Sequence, residues 1–276
     1  MTKVSFYPGC SLEGTAREYG ESIAAVSRIL NIELKELEDW NCCGASSAHA
    51  TNGKLALALP ARNLEIAEKA GLELVVPCAA CYSRLMTAAK NRGNGEKPII
   101  NIKHFISFLW ESIGEAGIKE KVTKPLSGMK VVCYYGCLIT RPPDVTGAND
   151  PDNPESMDNL MQAIGAEVRP WSYKTDCCGG SHSLTIPDIS RKLTRKLFDM
   201  AAEAGAEMIV TACPMCQSNL DSYQKKISRE SGKDYCIPIV YSTELLGLAF
   251  GDSAVSKWFS RHIVDPRPLL RQKGLL

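Results

Sequence analysis

Residues 74–81 read Leu74-Val75-Val76-Pro77-Cys78-Ala79-Ala80-Cys81, and 135 residues later comes Met208-Ile209-Val210-Thr211-Ala212-Cys213-Pro214-Met215-Cys216. Each is a short apolar, β-branched run ending in Cys-x-x-Cys, as a buried strand would end on a site. Working outward, Cys42-Cys43-Gly44 precedes the first CxxC and Cys177-Cys178-Gly179 the second, again 135 residues apart. Upstream of each pair is one more cysteine: Cys10, with 31 residues between it and the first pair, and Cys137, with 39 between it and the second. The eight-residue excess falls in the Pro/Asp/Asn-rich stretch from Arg141-Pro142-Pro143 to Asn153-Pro154, which has loop composition. A repeat of this length means that the chain is an internal duplication.

The surroundings repeat too. A β-rich run leads to the first cysteine of each half, Val4–Tyr7 and Val131–Tyr135, and helical periodicity follows at Tyr19–Leu30 and Ser156–Ile164. Short strand-like stretches, Leu34–Leu37 and Glu167–Trp171, come before the pairs. Helices over Leu55–Ala70 and Ile186–Ala204 end at Gly71 and Gly205, as C-cap glycines end helices. A last strand and helix close each half, Ile99–Asn101 with Phe105–Trp110 and Ile239–Tyr241 with Glu244–Phe250. Strands alternating with helices make parallel βαβ units. The expected class is α/β: two tandem open parallel-sheet domains, helices on both faces, with cysteines at the strand C-terminal ends. The boundaries expected are 1–124, 125–250 and a tail at 251–276, with the join in Lys121–Gly128.

Composition sets limits on function. The 276 residues are 45% hydrophobic and 23% charged, ordinary globular values, and a net charge of +1 gives no electrostatic reason to expect nucleic acid or an anionic membrane. No apolar run reaches the ~18–20 residues of a membrane span, and the start shows no signal-peptide pattern. A soluble, cytoplasmic protein is expected. Twelve cysteines are then anomalous: in a reducing compartment they point to metal or redox chemistry rather than structural disulfides.

Strand ends of a parallel sheet share one edge, where ligands bind, so cysteines remote in sequence converge there. Helix N-termini supply N–H groups to an anionic cluster, and Gly44 and Gly179-Gly180 permit close backbone approach. CxxC alone is common to zinc, redox and iron–sulfur sites. Zinc wants four ligands in a tetrahedron, whereas each half offers five cysteines, two of them adjacent. A polynuclear iron–sulfur cluster is the better fit, and zinc is the alternative.

The twice-repeated pattern, with Tyr7-Pro8-Gly9-Cys10, Asn41-Cys42-Cys43-Gly44, Pro77-Cys78-Ala79-Ala80-Cys81-Tyr82, Cys177-Cys178-Gly179-Gly180 and Met157–Pro170, resembles the cysteine-rich CCG domains of the family of heterodisulfide reductase B subunits. The resemblance covers nearly the whole chain. It implies two non-cubane [4Fe–4S] clusters, one held by Cys10, Cys42, Cys43, Cys78 and Cys81 and the other by Cys137, Cys177, Cys178, Cys213 and Cys216. It also implies two partners, a ferredoxin-like C subunit that donates electrons to this chain and the flavin-containing A subunit that feeds it. The activity implied is reduction of the coenzyme M–coenzyme B heterodisulfide, or a related disulfide, between the clusters. Disulfide cleavage takes two electrons, one from each facing cluster, in place of dithiol exchange. The alternative is an electron-transfer subunit of another dehydrogenase or electron-bifurcating complex with a different acceptor. Neither GxGxxG nor GxxxxGK[ST] occurs, so flavin and nucleotide are expected on a partner and not on this chain.

Other residues have weaker claims. His182, four residues after Cys178, is the candidate proton donor to a leaving thiolate. His49 is a lesser one, and either has a plain surface role as its alternative. Cys133 reads as a buried strand residue and Cys236 has no evident partner. Arg141–Asn153 reads as a wall of the substrate cleft or a solvated loop. The tail, with Arg261, His262, Arg267, Arg271 and Lys273, reads as a segment packed along the surface or a dock for a partner or anionic substrate.

Overall fold

The computed structural model describes residues 1–91 and 100–276. The first half runs β1 (Thr2–Phe6), α1 (Cys10–Glu13), α2 (Arg17–Ile29), β2 (Ile32–Glu36), α3 (Ala45–Thr51), α4 (Gly53–Ala70), β3 (Leu74–Val76), α5 (Ala79–Lys90), β4 (Ile102–His104) and α6 (Phe105–Lys121). The second runs β5 (Lys130–Tyr134), α7 (Pro143–Thr146), α8 (Ser156–Ala163), β6 (Glu167–Val168), a 3₁₀ turn (Gly180–His182), α9 (Pro187–Glu203), β7 (Met208–Thr211), α10 (Pro214–Ser231), β8 (Ile239–Tyr241) and α11 (Ser242–Phe250). Two tail helices follow, α12 (Val255–Phe259) and α13 (Arg267–Gln272).

The strands form two four-stranded sheets in the orders β2-β1-β3-β4 and β6-β5-β7-β8, with every pairing parallel. The expected fold class therefore holds. Side chains alternate across a strand. Val4, Phe6 and Val75 accordingly join Ile23, Val26, Phe105 and Phe108 of α2 and α6 on one face. Leu74 and Val76 meet Leu64 and Ala67 of α4 and Leu85 of α5 on the other. Each such side chain, fully buried, contributes roughly 1.5–3 kcal/mol.

The two halves share an interior. Helix α2 packs on α11 and α6 on α8, and one apolar cluster continues from the first sheet through these helices into the second. The seam is also hydrogen-bonded, Ser22 Oγ to Thr243 Oγ1 at 2.6 Å, and the rings of Tyr19 and Tyr241 stack at 4.1 Å.

Several expectations need correction. The closing strand of the first half is Ile102–His104, not Ile99–Asn101. Ile99 lies outside the described residues, while Ile100 and Asn101 precede the strand. Its register, Val75 opposite Lys103, puts a lysine and a histidine in a strand that apolar periodicity could not detect. The Arg141–Asn153 stretch holds helix α7, tied to the first half by Tyr82 Oη donating to Thr146 O at 3.2 Å and by a Lys90–Asp144 ion pair. The tail is drawn into the core and not laid along the surface: Trp258, Phe259 and Leu270 are all buried. Among the described residues no helix is long and apolar enough to cross a membrane.

Candidate metal centres

Each cysteine stands where a strand hands over to a helix. Cys10 opens α1 after β1, Cys42 and Cys43 lie between β2 and α3, and Cys78 is the N-cap of α5 after β3. In the second half Cys137 follows β5, Cys177 and Cys178 precede the 3₁₀ turn, and Cys213 caps α10. Parallel strands deliver these positions to one edge of each sheet, and the sulfurs converge. Cys10 and Cys42 sulfurs lie 3.9 Å apart, Cys43 and Cys81 3.4 Å, and Cys178 and Cys216 3.7 Å. All are free thiols, well beyond the ~2.05 Å of a disulfide bond.

Backbone geometry is shaped to sulfur. Gly9 and Gly136, each just before the first cysteine of its half, adopt φ of 71° and 69°. A Cβ on either would come within 2.9 Å of a sulfur, Cys81 Sγ or Cys216 Sγ. The N–H groups of Gly44, Gly179 and Gly180 point at the sulfurs of Cys42, Cys177 and Cys178 at 3.3–3.4 Å.

Thiol acidity is split within each set. The Cys81 thiol, 3.4 Å from Cys43, brings that cysteine down to about 7. The Cys137 thiol does the same for Cys177, bringing it to about 6 with help from the Gly179 N–H and the charge of His182. Cys213 is lowered by the thiols of Cys216 and Cys78, and Cys78, Cys81 and Cys216 are raised by their neighbouring thiols and by burial. Each set thus already favours thiolate at some sulfurs, the form in which cysteine binds metal.

Cys10 and Cys42 of the first set and Cys177 of the second are exposed. All five cysteines of the second set line a cavity of about 120 Å³, whose other wall comes from the first half: Ala45, Ser46, Ala79, Ala80 and Arg84. That is several times the ~30 Å³ of a water molecule. Among the described residues no three His, Cys, Asp or Glu side chains are gathered as for a single ion. Five free sulfurs around a space of this size, with N–H groups aimed at them, fit a polynuclear cluster.

The two sets also meet each other. Cys78 and Cys213 are near enough across the seam for each to act on the other's acidity. The hydroxyl of Tyr19, fully buried, faces the carbonyls of Pro77 and Ala212 at 3.1 and 3.2 Å, one residue before each of those cysteines. His104 Nε2 lies 2.9 Å from Pro77 O and its Nδ1 faces the N–H of Ile106. Burial lowers its pKa to about 4, so the ring is neutral and Nε2 is the donor. Tyr19 and His104 escaped sequence reading. Tyr19 has the spacing of a core residue, and His104 stands in the misplaced strand.

The remaining candidates are dispersed. His182 is exposed on the 3₁₀ turn, near enough for its charge to act on Cys177. His49 is exposed at the end of α3, with Nδ1 3.4 Å from Arg84 Nη1. Cys133 is buried in β5 and Cys236 is exposed. A wider groove of about 480 Å³ runs past Tyr82, His104, Tyr135 and Thr146–Asp150; no cysteine of either set lines it, and no residue of Arg141–Asn153 lines the cysteine cavity. His262, in contrast, is unavailable for docking. It is buried, with Nε2 2.9 Å from Glu244 Oε1. Arg261 pairs with Glu21, Arg267 with Asp265 and Lys273 with Glu207.

Fold and site together define a duplicated α/β protein with a five-cysteine set in each half. The cysteine-rich domain family CCG matches residues 4–86 and 131–221. The chain belongs to that family, in its duplicated form, and to the line of proteins that includes the B subunits of heterodisulfide reductases. It is 33% identical over 280 residues to the 8-methylmenaquinol:fumarate reductase membrane anchor subunit of Wolinella succinogenes, covering 96% of this chain and 98% of that one. It is 29% identical to the B subunit of the ferredoxin:CoB-CoM heterodisulfide reductase of Methanosarcina mazei, covering 92% and 91%. Among solved structures, a hypothetical protein from Helicobacter pylori superposes with a TM-score of 0.74 at 11% identity, covering 96% of this chain and 53% of that chain. The chain spans about half the length of that structure, and the likeness is one of fold. Both of these relatives, from Wolinella succinogenes and Methanosarcina mazei, are named as subunits of reductases.

Proposed function

We propose that the ten cysteines hold two iron–sulfur clusters, non-cubane [4Fe–4S] as the family resemblance implies. Cys10, Cys42, Cys43, Cys78 and Cys81 would hold one, and Cys137, Cys177, Cys178, Cys213 and Cys216 the other. The chain is then the catalytic subunit of a heterodisulfide-reductase-type complex. Electrons pass from a flavin-containing A subunit to an iron–sulfur C subunit, thence to this chain, and a disulfide is the acceptor. The Tyr19 hydroxyl, held between Pro77 O and Ala212 O at 3.1 and 3.2 Å, one residue before Cys78 and Cys213, is the observation that carries this reading. It sets the two cysteine sets side by side, as a two-electron reaction shared between them requires.

Clusters held by these cysteines would supply the two electrons that reduction of a disulfide to two thiolates takes. The protein's own part is to hold and to exclude. Tyr19 and His104 fix the loops that carry Cys78 and Cys213. Ala79, Ala80 and Leu138 keep the second cavity apolar. His182, on the turn after the second pair, is the residue assigned to hand a proton to a leaving thiolate. The units are taken as 1–124 and 125–250, with 251–276 as a tail. The cytoplasm is the proposed location.

A second reading has its own support. The fumarate reductase relative aligns over nearly the full length of both chains, which favours an electron-transfer subunit of such a complex, with a different acceptor. The anaerobic complex, assembled with its partners, separates the two. Turnover of coenzyme M–coenzyme B heterodisulfide by a reduced donor is the expected result. Absence of that turnover, together with menaquinol-driven fumarate reduction, would transfer the chain to the second reading.

A further inference from the structure

Each half places a tyrosine three residues before its first cysteine, Tyr7 before Cys10 and Tyr134 before Cys137. Both side chains are fully buried, yet each hydroxyl reaches the loop that carries the cysteine pair of its own half. Tyr7 Oη donates to Asn41 O at 2.8 Å, and Tyr134 Oη donates to Asp176 O at 2.7 Å. These carbonyls belong to the residues immediately before Cys42 and Cys177. The duplication thus repeats a hydroxyl-to-carbonyl bond along with the ten sulfurs. Each tyrosine ring also meets a tryptophan edge-on, Trp40 at 5.4 Å and Trp171 at 6.1 Å. Burial raises the acidity constant of both phenols, and the charges of four cysteines of the same set raise it further. Each ring therefore stands among the sulfurs of its half and keeps its proton as a donor.

The two loops are otherwise held differently. Asn41 O has a second donor, Asn63 Nδ2 at 2.8 Å, and Asn41 N donates to Asn63 Oδ1 at 2.9 Å. The counterpart of Asn63, 135 residues on, is Phe198, which can do neither. Among the described residues Tyr134 is the one donor to Asp176 O. On the far side of the second pair, Asn219 Nδ2 and Thr194 Oγ1 donate to Cys178 O at 2.9 and 3.2 Å. Cys178 is fixed from behind, and the exposed Cys177 is left to Tyr134.

We propose that Tyr7 and Tyr134 are positioning residues for the two clusters, each hydroxyl setting where the first sulfur of the adjacent pair stands, with the second cluster the more dependent on its tyrosine. This rests on the cluster assignment above and deepens it. Groups that orient a metal ligand from outside its coordination sphere are worth about tenfold or more in metal retention, and hydrogen bonding around the sulfurs tunes a cluster's potential.

The test compares Tyr7→Phe and Tyr134→Phe with the parent, all purified anaerobically and assayed for iron and sulfide. Iron release to a chelator is timed, and electron paramagnetic resonance is followed through a redox titration. Release should be about tenfold faster in Tyr134→Phe and about threefold or less in Tyr7→Phe. Each variant should alter the resonance and shift the midpoint of one cluster, a different cluster in the two. Tyr235→Phe is the control for general loosening: its hydroxyl donates to Asp199 Oδ1 on α9 at 2.7 Å, and its loss should lower the thermal midpoint at the parent's rate of iron release. If Tyr134→Phe does not fold, the first half decides. Tyr7→Phe combined with Asn63→Ala strips Asn41 O of both donors and should release iron about tenfold faster than Asn63→Ala alone. Parental release and resonance in the phenylalanine variants of an iron-loaded protein overturn the proposal alone. Equal acceleration in Tyr235→Phe overturns it too, as does equal acceleration in Tyr7→Phe and Tyr134→Phe, which removes the stated asymmetry. A parent without iron and sulfide contradicts the cluster reading itself, and the proposal falls with it.

Discussion

The Tyr19 hydroxyl of the first half lies 3.2 Å from the carbonyl oxygen of Ala212 in the second, 193 residues away in the chain. The same hydroxyl is 3.1 Å from Pro77 O. One proton is therefore shared between the residues that precede Cys78 and Cys213, and the two halves are registered one residue ahead of those cysteines.

Tyr19→Phe removes this link and leaves the Ala212 carbonyl short of a donor in a buried place. The expected loss is about 1–2 kcal/mol, visible as a drop of a few degrees in the thermal midpoint of the anaerobic protein. Tyr19→Ala, which also removes the ring stacked on Tyr241, should cost about 3–5 kcal/mol. An unchanged midpoint in the Phe variant would mean that the seam does not depend on the hydroxyl.

Gly9→Ala and Gly136→Ala press a Cβ to within 2.9 Å of Cys81 or Cys216 sulfur, on backbone at positive φ. Each substitution should impair metal uptake in its own half alone. Iron per chain should fall by about half in either variant, and to near zero in the double one, as each half holds its own cluster. Equal loss of both clusters from one substitution would contradict independent halves.

The buried pair His262–Glu244 gives the fold a pH dependence. Although burial alone lowers the pKa of His262, the charges of Glu244, Asp221 and Glu18 raise it to about 9. The folded value exceeds the unfolded one of about 6.5, so the contribution is complete below pH ~6.5 and disappears as pH rises through about 9. Its size is roughly 3 kcal/mol, from 1.36 kcal/mol per unit. The thermal midpoint of the parent should fall across that interval, and that of His262→Gln should fall less. Parallel slopes in the two proteins would assign the pH effect elsewhere.

Cysteine accessibility offers a further check. Cys236 is exposed and Cys133 is buried in β5, and neither belongs to a five-cysteine set. Iodoacetamide should label Cys236 alone in the metal-loaded protein. After chelation of the metal, Cys10, Cys42 and Cys177, which are exposed, should become reactive. Rapid labelling of those three before chelation would exclude them as ligands.

Much of this was legible in the primary structure, for a definite reason. The ten cysteines keep fixed spacing from strand ends, and a parallel sheet turns such spacing into proximity. What could not be read were contacts made across the seam. Tyr19 with Ile23 looks like an ordinary helical apolar stripe, and nothing in sequence tells which carbonyl its hydroxyl will meet. His104 was hidden because Lys103 and His104 break the apolar pattern of their strand, while the nearby Ile99-Ile100 imitates one. His262 looked like one of several surface charges in a basic tail. Its partner, Glu244, lies 18 residues earlier in α11, and only the packing of α11 with α12 makes the two a buried pair.

The central claim is that Cys10, Cys42, Cys43, Cys78 and Cys81 hold one iron–sulfur cluster and Cys137, Cys177, Cys178, Cys213 and Cys216 another. Iron and acid-labile sulfide, determined per chain on anaerobically purified protein, test it most directly. Two four-iron clusters predict iron and sulfide in equal amounts, about eight of each. Zinc bound without sulfide, or iron without sulfide, would contradict it.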